Sequence, residues 1–163
     1  MPLPEQNSPS HRPPTLLALP SYLAGSVARL GNASLVAALK ERDLRLPQFA
    51  VLVALFDFGP LAPHELATRL QADRSHISAY VEALVKREWV ARIQDDADRR
   101  RVSVELTAEG RERVGELTAA AAASEQALLG SLSPEECDTL RELLTKVIVA
   151  NETADLPGQA PAI

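Results

Sequence analysis

Residues 64–106 read HELATRLQADRSHISAYVEALVKREWVARIQDDADRRRVSVEL, and the changes of period along this stretch decide the fold. His64–Leu70 is a short amphipathic segment with Leu66, Ala67 and Leu70 at helical spacing. After Gln71-Ala72-Asp73-Arg74, a second helical pattern sets Ile77, Val81, Leu84 and Val85 on one face. Asp73 suits the N-cap of that second helix, where a carboxylate accepts a free backbone N–H of the first turn. Two helices joined so tightly cannot run parallel. They cross steeply around the small Ala67, as a helix-turn-helix does.

The period then changes to two. Trp89–Ile93 alternates large apolar with small or charged residues, and so does Val102–Leu106, which predicts two short strands. The polar run Gln94–Arg101 connects them. Helix, helix, strand, charged loop, strand is the order of a winged helix-turn-helix. In such a fold the second helix enters a DNA major groove and the wing reaches an adjacent minor groove.

The run Asp98-Arg99-Arg100-Arg101-Val102-Ser103-Val104-Glu105-Leu106-Thr107-Ala108-Glu109-Gly110 resembles the D-[RK]-R-x-x-x-V-x-L-T-x-x-G signature of MarR-type transcription regulators. Arg74-Ser75-His76-Ile77-Ser78 is similar to the start of that family's recognition helix, and Leu84–Val90 to its exit. The resemblance covers roughly Ser21 to Asn151 and implies a mainly α fold with a small β-wing. In that fold terminal helices build a dimer interface. It departs from the pattern at Glu88, where the family usually has Gly; a left-handed backbone there would cost Glu, so a different local turn is expected.

Outside the winged unit, the first fourteen residues hold five of the twelve prolines, so residues 1–20 read as a flexible arm. The expected domain spans 21–152, with a winged unit over 46–106, dimerisation helices over 21–41 and 107–151, and a disordered tail over 153–163. The first of these helices is weakened by Gly31-Asn32. Pro47 suits the start of the next helix, whose Phe49, Val51, Leu52, Val53, Leu55 and Phe56 make it apolar on most sides and therefore buried. Gly59-Pro60 ends it. Thr107 caps the helix after the wing, and Ser133-Pro134-Glu135-Glu136 is a capping box for the last one. Cys137, Leu140, Leu144, Val147 and Ile148 form its apolar stripe. One small winged unit cannot cover all these striped helices, so a twofold dimer is the economical solution.

Composition sets the remaining bounds. The chain has 163 residues, 46% hydrophobic and 24% charged, with one cysteine. That excludes an intramolecular disulfide and fits a reducing cytoplasm. No secretory signal and no stretch of about 20 apolar residues is legible, so no membrane role is expected. The net charge of −5 is unevenly spread: Arg69–Arg101 carries eight Arg/Lys against six Asp/Glu. Local charge facing the phosphates governs binding, so moderate, salt-sensitive affinity for double-stranded DNA is expected.

With Ile77, Val81 and Leu84 inward, Ser75, His76, Ser78, Ala79 and Glu82 turn outward. Ser and His bond to base edges or phosphates, and Ala79 offers a methyl contact to thymine. Arg74 belongs to the same helix start. The alternative is a plain solvated helix face. On the wing, the resemblance implies that Asp98 buttresses Arg100, which enters the minor groove, while Arg99 and Arg101 reach phosphate or solvent. A narrow electronegative groove does attract a guanidinium that a carboxylate holds in place. An ordinary charged turn is the other reading. By resemblance, a small-molecule effector sits where the dimerisation helices meet the winged unit, near Leu23, Val27, Phe49, Leu52 and Val114.

Trp89 reads as a core plug rather than a ligand-stacking group. Cys137 could be a redox-sensing thiolate, but the peroxide-sensing members carry their cysteine in the first helix and this chain has none there, so a structural thiol is preferred. His11, His64 and His76 have no metal-ligand spacing. No nucleophile–base motif, phosphate loop or cofactor motif appears, so neither an enzyme nor a cofactor is expected. The expectation is a homodimeric, ligand-responsive repressor binding a pseudo-palindromic operator. The alternatives are a redox-sensing regulator acting through Cys137 and a winged module that binds only protein.

Overall fold

The computed structural model describes residues 10–94 and 102–152. Seven helices and two strands follow in the order α1 (Pro14–Leu17), α2 (Pro20–Lys40), α3 (Leu46–Phe58), α4 (Pro63–Arg69), α5 (Arg74–Val85), β1 (Val90–Gln94), β2 (Val102–Leu106), α6 (Ala108–Leu128) and α7 (Pro134–Glu152). This is the mainly helical winged fold that the periodicity predicts.

The core forms around α3. Gln48 accepts the backbone N–H of Arg45 at 2.9 Å and so satisfies a donor at the helix start. Gly59, at φ 77°, ends the helix in a conformation that a side chain would resist. Between these ends Val51, Leu52 and Leu55 are sealed, together with Leu66 of α4, Ile77, Val81 and Leu84 of α5, Val104 of β2, and Val114 and Leu117 of α6. The expectation of a buried helix is corrected at its C-terminal end, where Phe56 is exposed and Phe58, also exposed, is covered only by the Arg69 guanidinium. Each sealed Leu or Ile contributes about 1.5–3 kcal/mol.

Gln71, at φ 50°, makes the sharp corner between α4 and α5, and the Ala72 N–H closes it onto the Ala67 carbonyl at 3.0 Å. Ala67 is buried at the crossing, as its size suggested. Asp73 does occupy the N-cap position, but its side chain makes no capping bond. The first turn of α5 is exposed, so the Asp73 carboxylate gains little by folding back onto it.

The strands pair antiparallel from Val90↔Leu106 to Gln94↔Val102. β1 starts one residue later than the alternation suggested, because the Trp89 N–H returns to the Leu84 carbonyl at the helix exit. A third segment joins the wing: Leu61 and Val104 exchange backbone hydrogen bonds of 3.0 and 2.8 Å.

Two junctions position the outer helices. Thr107 Oγ1 accepts the Gly110 N–H at 3.0 Å and donates to the Glu88 carbonyl at 2.7 Å, tying α6 to the exit of α5. On the other side, α2 runs unbroken through Gly31-Asn32, where a Cβ on Gly31 would lie 3.1 Å from Leu128 of α6. The expected weakness is a close-approach site instead. Residues 14–17, expected within the arm, form a helical turn packed against α2. α7 begins with the expected capping box, Ser133 N–H to Glu136 at 2.8 Å and Glu136 N–H to Ser133 Oγ at 3.3 Å. It buries no residue. The expected flexible arm at 1–9, the expected disordered tail at 153–163 and the charged connection at 95–101 lie outside the described residues. Among the described residues no helix is long and apolar enough to cross a membrane.

Candidate nucleic-acid interface

The core grips α5 by its inner face, through Ile77, Val81 and Leu84, each no more than 1% exposed. Helical geometry then forces Arg74, Ser75, His76, Ser78, Ala79 and Glu82 outward, and all six are exposed. All five of the expected recognition-helix contact residues therefore share one open surface. Ser78 spends its hydroxyl proton on the Arg74 carbonyl at 2.9 Å, which leaves its lone pairs as acceptors toward a ligand. The His76 ring lies 6.3 Å from that of Tyr80. Glu82 is drawn aside by Lys86 at 3.4 Å, which lessens its repulsion of an approaching phosphate. The free N–H groups of the first turn point the same way and favour an anion.

Arg69 stacks over Phe58, 4.0 Å from the ring centre, and Arg92 is exposed on β1. The described part of the wing ends at the Gln94↔Val102 pair of the two strands. Asp98, Arg99, Arg100 and Arg101 lie outside the described residues, so their expected roles stand as inferences from the motif.

The root of the wing is a joint that the sequence did not spell out. Arg87 lies just beyond α5 and its guanidinium donates to the Asp43 carbonyl at 2.5 Å, the Asp43 carboxylate at 2.6 Å and the Arg42 carbonyl at 3.3 Å. The same group lies 5.0 Å from the Trp89 ring centre. Trp89 is half-buried against the core, consistent with a plug. Glu88 takes φ 61°, so the expectation of a different local turn is corrected: the left-handed turn usual for Gly is kept, held by the Trp89 N–H to the Leu84 carbonyl at 3.2 Å and Thr107 Oγ1 to the Glu88 carbonyl at 2.7 Å.

The expected effector residues separate into two groups. Leu23 and Val27 line an apolar groove of about 810 Å³ between α2, α6 and α7. Leu52 and Val114 are fully sealed in the core and Phe49 packs against it, so these three do not line that groove. The reason is that α3 and α6 press directly together at this level, leaving no space between them. Cys137 is a free, half-buried thiol. Among the described residues no group of His, Cys, Asp or Glu is placed to hold a metal ion.

Comparison with known proteins matches this geometry. A family model described as the MarR family matches residues 44–102. Over 107 residues the chain is 36% identical to the HTH-type transcriptional repressor NicR of Pseudomonas putida, across 66% of this chain and 68% of that protein. Matches to curated relatives span from 50% to 74% of the relative's length. A mutant of MarR from E. coli complexed with operator DNA superposes with a TM-score of 0.68 at 28% identity, covering 78% of this chain and 91% of that one. Bordetella bronchiseptica BpsR, whose DNA binding is regulated by 6-hydroxynicotinic acid, gives a TM-score of 0.69 at 30% identity, covering 78% of this chain and 96% of that one.

Proposed function

The chain belongs to the MarR family of DNA-binding transcription regulators, and from that premise we propose that it is a homodimeric, cytoplasmic, ligand-responsive repressor of a pseudo-palindromic operator. Its relatives are regulators and not enzymes. The observation that carries the proposal is the open polar face of α5, held rigidly by sealed apolar residues beside the root of a two-stranded wing. Arg74, Ser75, His76, Ser78 and Ala79 enter the major groove. Arg100, braced by Asp98, enters the minor groove, and Arg99 and Arg101 hold phosphates.

The dimer reading is supported by the apolar residues that one copy leaves in water. Leu143, Leu144, Val147, Ile148 and Val149 of α7 are 42–61% exposed, and Leu23, Val27 and Leu30 of α2 are 40–53% exposed. Leu23, Val27, Leu143, Leu144 and Val147 line one groove, and a second copy of the same helices fills it. Two recognition helices then stand about 34 Å apart, one DNA turn, so both half-sites must be met at once. A small effector that shifts the lobes by a few ångströms releases the operator. The regulation of BpsR DNA binding by 6-hydroxynicotinic acid supports a small organic ligand as that effector.

Fluorescence anisotropy on the duplex upstream of the chain's own gene tests this, with wild type and Arg100→Ala compared across a salt series. Saturable binding with a steep salt slope, weakened by Arg100→Ala, is expected. Binding no tighter than to a randomised duplex pool would overturn the operator reading.

A further inference from the structure

Among the described residues Asp43, Gln71 and Glu88 have positive φ without being glycine. Gln71 is accounted for by the corner between α4 and α5. Asp43 and Glu88 are far apart in sequence, yet one side chain joins them. Arg87 directly precedes Glu88, and its guanidinium holds the Asp43 carbonyl and carboxylate and the Arg42 carbonyl. A left-handed backbone at a non-glycine residue persists only where its surroundings over-determine it, and such corners collect where a pose matters.

Both ends of this tie are anchored in the core. On the Asp43 side, Leu39 and Leu44 are buried, and the Leu44 N–H bonds the Leu39 carbonyl at 3.0 Å. On the Arg87 side, sealed Leu84 accepts the Trp89 N–H, and Val90 is buried as β1 begins. The same exit is tied a second time, to the start of α6. The Thr107 N–H bonds the Trp89 carbonyl at 3.1 Å, and Thr107 Oγ1 bonds that of Glu88. Residues 87–89 are therefore held to the end of α2 on one side and to the start of α6 on the other. One tie permits a swivel, whereas two fix an angle. α2 and α6 are also the helices that, with α7, line the groove assigned to the second copy.

The Arg87 side chain is only 26% exposed, and its donors are engaged by carbonyls and a carboxylate of this chain. It is thus placed to act through α5 rather than on a phosphate. We propose that Arg87 is a positioning residue for operator binding: by locking residues 42–43 to the exit of α5 it sets the angle of α5 to α2 and α6, and so the half-site spacing that a dimer accepts. The spacing role rests on the dimeric operator reading above. One base pair added between half-sites moves them apart by about 3.4 Å and turns them by about a tenth of a turn. A locked angle rejects that change, and a loosened one follows it.

Fluorescence anisotropy of the full chain tests this on three duplexes: that upstream of its own gene, and the same with one base pair inserted or removed at its centre of symmetry. Wild type is expected to bind both altered duplexes at least about 30-fold more weakly than the parent. Arg87→Met is expected to bind the three within about threefold of one another. Sedimentation and thermal unfolding establish that each variant is a folded dimer at the assay temperature. Should Arg87→Met not be one, Arg87→Lys, which keeps the charge without the fork, is read instead, with discrimination reduced at least about threefold. A variant that discriminates as wild type does overturns the role of Arg87 alone. So does a uniform loss on all three duplexes, which with a salt slope lower by about one would make Arg87 a phosphate contact. A wild type that binds the three alike, or not at all, overturns the two-site operator reading, and the spacing role falls with it.

Discussion

Arg87 reaches across 44 residues of sequence to hold both the backbone carbonyl and the carboxylate of Asp43, while Asp43 itself sits at φ 51°. The corner after α2 is thereby fastened to the exit of α5 and the root of the wing. The Asp43 side chain is 98% exposed and that of Arg87 only 26%, which places most of the value in the bonds to backbone carbonyls rather than in the ion pair. Arg87→Met is therefore expected to cost about 1–2 kcal/mol in urea unfolding. Asp43→Asn, which tolerates the left-handed backbone and keeps its carbonyl, is expected to stay within about 0.5 kcal/mol. Equal losses in the two variants would assign the stability to the ion pair instead.

Glu88 occupies φ 61° at the turn into the wing. A side chain in that conformation costs about 1–2 kcal/mol, and glycine gives back part of the gain through a freer unfolded chain. Glu88→Gly is expected to stabilise the protein by up to about 1 kcal/mol, read as a shift of the denaturation midpoint at constant m-value.

Gly110 permits the start of α6 to lie against the wing root, since a Cβ there would stand 1.9 Å from the Trp89 carbonyl oxygen. Backbone cannot yield as a flexible side chain does. Gly110→Ala is expected to lose at least about 2 kcal/mol. Gly115, one and a half turns further along α6 and open around its Cβ position, provides the control. Gly115→Ala is expected to gain about 0.5–1 kcal/mol from helix propensity. The two thermal midpoints should move in opposite directions.

Leu144 and Val147 are 42% and 61% exposed on the outer stripe of α7. The double variant Leu144→Glu/Val147→Glu is expected to sediment as a monomer and to lose about 100-fold or more in operator affinity, because a second half-site no longer binds intramolecularly. A variant that remains dimeric would move the interface away from this helix.

Glu135 titrates below the usual carboxylate range, chiefly because its own backbone N–H bonds it and further because Ser133 Oγ donates to it at 2.8 Å. A depressed folded-state pKa gives stability that is present above the unfolded value and lost as pH falls through the folded one. Ser133→Ala is expected to move the Glu135 titration, followed by carboxyl NMR shifts, back toward the ordinary value.

What the sequence by itself determined are features set within a turn or two of chain. The 3.6 and 2.0 periods placed α4, α5, β1 and β2 to within a residue or so. Thr107 and Ser133 named their own helix starts, because a cap bonds only two or three residues away. The outward set Arg74, Ser75, His76, Ser78 and Ala79 followed from the inward set by helical geometry alone. Tertiary structure decided whatever depends on how distant segments return to one another. Leu61 joins Val104, Arg87 finds Asp43, and Arg12 meets Ser26 and Arg29, none of which leaves a period in the sequence. The same holds for apolar residues. Leu23 and Leu52 look alike in sequence, yet one faces an open groove and the other is sealed, because burial is a property of what packs against a side chain and not of the side chain itself.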